Sequence, residues 1–168
     1  RDWHEDGEAE GGPLRALVNW AWLGNISAAE PERVRLAAVA MCWVLATPKR
    51  SARDKATKAL ASLLTGNLKL ARELLLKFDA VDDPYVLERL YAAAYGAALR
   101  TRDPEGVVHL ARTVLNRVFL KKTVPPHILT RDYARGIVER AALSSSGFDA
   151  SALAVARPPY RSPWPLID

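Results

Sequence analysis

Cysteine is nearly absent from this chain of 168 residues: Cys42 stands alone, which excludes an internal disulfide framework and a four-cysteine zinc site. Histidine is scarce too, and the scattered His4, His109 and His127 offer no ligand set for a transition metal. The longest apolar run, Leu36 to Ala46, is about half of the ~20 residues that a membrane-spanning helix needs. The N-terminus lacks the pattern of a secretory signal. A soluble, cytoplasmic protein with no membrane partner is expected, and the lone thiol fits a reducing compartment. No familiar catalytic motif is present, so neither enzymatic activity nor a cofactor is expected. The chain starts at Arg1 and ends in Pro-Trp-Pro-Leu-Ile-Asp, which reads as a segment of a larger protein.

What the sequence does hold is apolar bulk and an uneven distribution of charge. Hydrophobic residues make up 49% and charged residues 26%, the balance of one globular domain with a sizeable core. The net charge is +5, yet residues 1–12 hold five acids (Asp2, Glu5, Asp6, Glu8, Glu10) against Arg1, so the remainder carries +9. A basic body suggests nucleic acid, an acidic partner surface, or the chain's own acidic arm. Most bases alternate with acids or recur at helical spacing, as in Arg53-Asp54-Lys55, Glu88-Arg89 and Glu139-Arg140, which is how a solvated helix face is written.

Helical periodicity and capping signals divide the chain into an acidic, flexible lead-in (1–12), a helical body (13–147) and an extended proline-rich strap or linker (148–168). Seven helices are predicted near 14–23, 28–46, 52–64, 68–78, 85–100, 105–120 and 131–143. Ser27 with Glu30 reads as a capping box, and Ser51 with Asp54 repeats its logic. Asn67, Asp83 and Asp103 are placed as N-caps, the last two before a proline at the first helical position. The run from Leu36 to Ala46 is apolar all round and is expected to be surrounded by other helices. Small residues crowd the fifth helix, including Ala92, Ala93, Ala94, Gly96, Ala97 and Ala98, and permit close helix approach. After Arg157, four prolines (Pro158, Pro159, Pro163, Pro165) preclude regular structure. Tyr160, Trp164 and Leu166 are the candidates to pin that strap to the helices.

No strand is convincing and the connections are short, so the fold expected is all-α, with antiparallel helical hairpins stacked as an α-α superhelix. Arg53-Asp-Lys-Ala-Thr-Lys-Ala-Leu60 aligns with Arg131-Asp-Tyr-Ala-Arg-Gly-Ile-Val138, at about twice the ~40-residue period of HEAT and armadillo units. Together with Val34-Arg-Leu-Ala-Ala-Val-Ala40, the segment Arg53 to Leu64 resembles the second helix of HEAT repeats. More narrowly, Arg53-Asp54, Asp82-Asp-Pro-Tyr-Val-Leu-Glu-Arg-Leu-Tyr91 and Tyr95-Gly96 resemble helical-repeat regions of bacterial NACHT-type, STAND-class ATPases, including antiphage sensors. That family's nucleotide site needs a glycine-rich loop ending in Gly-Lys-Ser/Thr, which this chain lacks. The resemblance therefore implies a sensing or scaffolding segment, with the ATPase elsewhere.

Residues with chemical potential mostly have structural readings. His4 with Asp2, Glu5 and Asp6 suggests a divalent cation, but an acidic arm supplies no fixed geometry. Cys42 reads as a core side chain with a raised thiol pKa. His109 has no catalytic partner at a recognisable spacing. Trp20, Trp22 and Trp43 read as core aromatics. Glu88 is expected to form an ion pair across the adjacent hairpin. For a protein partner, or another domain of the same chain, the candidate contacts are Tyr85, Tyr91 and Tyr95, the last two four apart on one helix face. For nucleic acid, the candidate phosphate contacts are Arg50, Arg53, Arg117, Lys121 and Lys122, provided that the two clusters share one face. HEAT-like DNA glycosylases are an enzymatic version of that alternative, but their catalytic Asp and Trp align with no residue here.

Overall fold

The computed structural model describes residues 12–24, 26–144, 148 and 150–160. Within them lie eight α-helices: α1 (Pro13–Leu23), α2 (Pro31–Val44), α3 (Arg50–Thr65), α4 (Leu68–Phe78), α5 (Pro84–Arg100), α6 (Pro104–Val114), α7 (Ile128–Ser144) and α8 (Ala150–Val155). A 3-10 turn (Ile26–Ala28) precedes α2, and a π-helical turn (Leu115–Phe119) continues α6. No strand occurs among the described residues, which are all-α. No helix among them is long and apolar enough to cross a membrane.

The helix starts divide by how they are capped. The Asp83 carboxylate accepts the Tyr85 and Val86 N–H groups at 2.9 and 3.3 Å, Asp103 accepts that of Gly106 at 2.8 Å, and Asn67 accepts that of Leu70 at 3.0 Å. Each satisfies donors that the first helical turn would leave unpaired. The two serine-based starts differ from expectation. Helix α2 begins after Glu30, with Ser27 inside the 3-10 turn, and α3 begins after Lys49, two residues earlier than predicted. Asp54 does not serve a capping box, because its carboxylate is taken by Arg89 of α5 at 2.7 Å.

The helices form two rows. In the first, α1, α3, α5 and α7 pack side by side and run in the same direction. Leu14 and Val18 of α1 lie by Ala52 of α3 while Trp22 lies by Lys58. Asp54 meets Arg89, whereas Ala61, two turns on, meets Gly96. Glu88 faces His127, the residue before α7, and Tyr95 faces Tyr133 and Gly136. The second row, α2, α4 and α6, is also parallel: Trp43 meets Phe78, Arg72 meets Thr113 and Asp79 meets Arg117. Partners across adjacent helices of one row lie 35, 41 and 38 residues apart in the Asp54–Arg89, Arg72–Thr113 and Asp79–Arg117 pairs. The broadest packing, between α3 and α5, therefore joins parallel helices rather than sequential antiparallel neighbours.

Side-chain size explains how closely the first row packs. A Cβ added at Gly96 would lie 3.3 Å from that of Ala61, and one added at Gly136 would lie 2.6 Å from the Tyr95 ring. The second row is held by larger groups: Leu68, Leu70, Ala71, Leu74, Leu75 and Phe78 of α4 are all buried. Full burial of a Leu or Phe contributes about 1.5–3 kcal/mol, so α4 is anchored chiefly by this stripe.

Two expectations about buried and extended segments are corrected. The second half of α2 is not enclosed: Leu36, Ala40 and Trp43 share an exposed face, with Leu36 56% and Trp43 55% accessible. Only Val34, Ala38, Met41 and Cys42 of this helix are buried, because α2 stands at one end of its row and has a partner on one side. In the proline-rich C-terminal segment, Ala150–Val155 is helical rather than extended. All four prolines follow Arg157, so nothing before it prevents a helical turn. Ala156 is buried, and Ala152 and Leu153 pack on the core. The lead-in through residue 11 and the end of the strap, with Trp164 and Leu166, lie outside the described residues.

Candidate functional site

Short bends join each helix of the second row to the next helix of the first, at 45–49, 79–83 and 120–127. They lie together where α3, α5 and α7 begin. This end of the molecule gathers both basic clusters, and residues 79–85 connect them: Asp79 accepts from Arg117 at 3.4 Å and Lys121 at 3.3 Å, while Tyr85 lies under the Arg53 guanidinium, 5.6 Å from ring centroid to Cζ. The π-helical turn contributes to this meeting. The Leu120 N–H donates to the Leu115 carbonyl at 2.9 Å, a widened turn that sequence periodicity does not reveal.

The candidate phosphate contacts are thus largely engaged within the protein. Arg50 lies 3.7 Å from Asp54, and Arg53 donates to the carbonyls of Thr47 and Pro48 at 2.9 and 3.3 Å. Arg117 and Lys121 share Asp79, and Lys122 is exposed. Cations are favoured at the C-terminal end of a helix, and for Arg117 and Lys121 the Asp79 carboxylate adds a direct partner.

Between the clusters runs a chain of alternating charge that crosses the first row. Asp54 sits between Arg50 and Arg89, Arg89 Nε lies 3.7 Å from Glu88 Oε1, and Glu88 Oε2 lies 3.8 Å from His127 Nε2. Glu88 is only 8% accessible, so Arg89 and His127 stand where water would otherwise solvate its carboxylate. His127 Nδ1 accepts the Thr130 N–H at 3.3 Å. An accepting Nδ1 assigns the proton of the neutral imidazole to Nε2, facing Glu88. His127 is in this way the N-cap of α7. The start of α7 precedes the predicted one by three residues because histidine is not among the usual capping residues.

Thr130 Oγ also lies 3.1 Å from His127 Nδ1, which gives Thr130, His127 and Glu88 the connectivity of a hydroxyl–imidazole–carboxylate triad. Burial separates it from catalysis. Thr130 is 4% accessible, too enclosed to meet a substrate, so its hydroxyl serves the helix cap.

The aromatic candidates separate by position. Tyr85 is exposed on the first turn of α5, while Tyr91 is 5% accessible in the core, where burial first and the Asp79 charge second push its hydroxyl pKa up. Tyr91 therefore offers no contact surface. Tyr95 is half-buried against Gly136 and Tyr133. The exposed aromatics missed by sequence reasoning are Trp22 and Trp43, whose apolar spacing suggested core positions. The signal that could have found them is their place on α1 and α2, the ends of the two rows. Cys42 is buried and its thiol pushed up to about 12 by desolvation. His109 lies exposed on α6. Among the described residues no group of three or more His, Cys, Asp or Glu side chains could hold a metal ion, and His4 with its acidic neighbours lies outside them. Comparisons of the chain with protein-family models, with curated proteins and with solved structures found no match.

Proposed function

We propose that this chain is a non-catalytic interaction module of stacked, HEAT-like helical hairpins, whose partner is another protein or another domain of the same chain. The observation that carries this reading is the bare apolar face of α2, where Leu36, Ala40 and Trp43 are exposed at i, i+4 and i+7. Contiguous exposed apolar side chains on a helix are a feature of interaction surfaces. Two parallel rows with partners 35 and 41 residues apart in the Asp54–Arg89 and Arg72–Thr113 pairs support the repeat reading, since stacked units offer extended binding surfaces. In its narrower form, the module is the sensing or scaffolding portion of a STAND-class ATPase whose nucleotide site lies elsewhere. The test is affinity capture from cytosol of the source cells with the native chain and with a Leu36→Ser/Trp43→Ser variant of matched thermal stability. A partner retained by the first and lost by the second supports the reading; equal retention by both removes α2 from it.

A second reading is binding of nucleic acid at the end where the bends meet. The shared location of Arg50, Arg53, Arg117, Lys121 and Lys122 favours it, while the internal partners of the first four weigh against it. Duplex and single-stranded oligonucleotides titrated at rising salt discriminate: phosphate contacts give a steep linear loss of log affinity with log salt, and absence of binding at low salt ends the alternative.

A further inference from the structure

The groove between α1 and α3 has an unusual charge pattern. It encloses about 230 Å³ above an apolar floor that includes Val18, Trp22 and Ala52, with Arg15 on one rim and Lys55 on the other. Lys58 extends that rim, its Nζ 6.0 Å from the Trp22 ring centroid. No carboxylate among the described residues lines it. Helix α1 has no acidic residue, and Asp54, the one acid of α3, is held by Arg89 of α5. An apolar trough between cationic rims fits an acidic peptide with a large apolar anchor.

The chain itself carries such a peptide. Residues 1–11 place Asp2, Glu5, Asp6, Glu8 and Glu10 around Trp3, with Arg1 as their one strong base. We propose that this segment is the occupant of the α1–α3 groove, with Trp3 on the apolar floor and its carboxylates toward Arg15, Lys55 and Lys58. The point of attachment suits it. The Gly12 carbonyl accepts the Ala16 N–H at 2.9 Å at the start of α1, so the segment meets the body beside Arg15, where the groove begins. Eleven residues reach up to about 36 Å when extended, whereas the groove follows α1 from Leu14 to Trp22, about 12 Å at the helical rise per residue. Reach is therefore ample. A tether this short holds the segment at about millimolar effective concentration, so modest pairing fills the groove, and a competing acidic partner must displace it.

The test uses the full chain with Glu8→Cys carrying a nitroxide. Cys42, buried with no accessible surface, does not compete for the label. Paramagnetic broadening is read from the backbone amides. The proposal predicts that residues 18–22 and 52–58 lose more than about half their signal at about 0.05 M NaCl and recover at about 1 M, where the Debye length falls to about 3 Å. The same recovery is expected in Lys55→Glu/Lys58→Glu, and also in Glu5→Gln/Asp6→Asn/Glu10→Gln, whose changes leave the residues of the groove untouched and keep the test independent of how the lysine variant folds. Broadening confined to residues 12–16, spread evenly over α5 and α7, or unchanged in both variants overturns the proposal. So does broadening of isotope-labelled native chain mixed with spin-labelled, isotope-free chain, which makes the occupant a second copy.

Discussion

At the scale of single residues, burial decides which groups retain chemistry. Cys42 sits on the inner face of α2 with its thiol raised to about 12 from an ordinary 9.0. Native protein at pH 8 should therefore resist iodoacetamide and react only when urea exposes the thiol; rapid native labelling contradicts the assigned burial. Because the folded pKa is the higher one, this thiol's contribution to stability is complete below about pH 9 and is lost as pH rises towards 12. The raised Tyr91 hydroxyl acts in the same direction at still higher pH. Gly136 offers a test by sign. Gly to Ala inside a helix ordinarily gains up to about 1 kcal/mol, but here the added methyl meets the Tyr95 ring at 2.6 Å. Gly136→Ala is expected to lose about 1–3 kcal/mol in urea denaturation, and a gain would show that the ring does not rest on α7. The burial of Cys42 was legible from its apolar surroundings. That of Tyr91 was not, because an aromatic four residues from Tyr95 reads equally well as an exposed stripe until the neighbouring helices are placed.

At the scale of elements, the legible starts were those with a local mechanism. Asp83-Pro84, Asp103-Pro104 and Asn67 act through side chains that accept nearby N–H groups, and that geometry is written within a few residues. Asp83→Ala or Asp103→Ala should each cost about 0.5–2 kcal/mol, read as a lower midpoint in urea with an unchanged slope; no shift in either variant contradicts the caps. Ser51-Ala-Arg-Asp54 has the same spelling and a different outcome, since Arg89 comes from a distant helix to claim the aspartate. His127 is the converse case, a cap that the residue type does not announce. His127→Ala removes the acceptor of the Thr130 N–H and one neighbour of buried Glu88. A loss of about 1–3 kcal/mol is expected, with faster amide exchange at Thr130. Unchanged exchange there would mean that α7 starts without this imidazole.

At the scale of the whole molecule, an all-α chain with short connections was plain from periodicity, whereas the order of packing was not. The likeness of Arg53–Leu60 to Arg131–Val138 marked the outer two of three parallel neighbours, α3 and α7. The middle one, α5, is obscured because its charges occur in the reversed order Glu88-Arg89 and its second half turns only Ala93, Ala94, Ala97 and Ala98 fully inward where the others carry larger apolar groups. End helices α1 and α2 were harder to read, since an apolar helix looks buried until its row is known to stop. The whole therefore rests on the parallel stacking of the first row, from which the α1–α3 groove and the shared end of the basic clusters follow. Its most direct test is an Ala61→Cys/Gly96→Cys pair, whose Cβ atoms lie 3.3 Å apart, close to the usual disulfide separation of about 3.5–4.5 Å. Mild oxidation of the folded protein should link this pair nearly completely and leave Asp54→Cys/Gly96→Cys, two helical turns out of register, unlinked. The reverse outcome, a disulfide in Asp54→Cys/Gly96→Cys and none in Ala61→Cys/Gly96→Cys, would mean that α3 and α5 run antiparallel, contradicting the account.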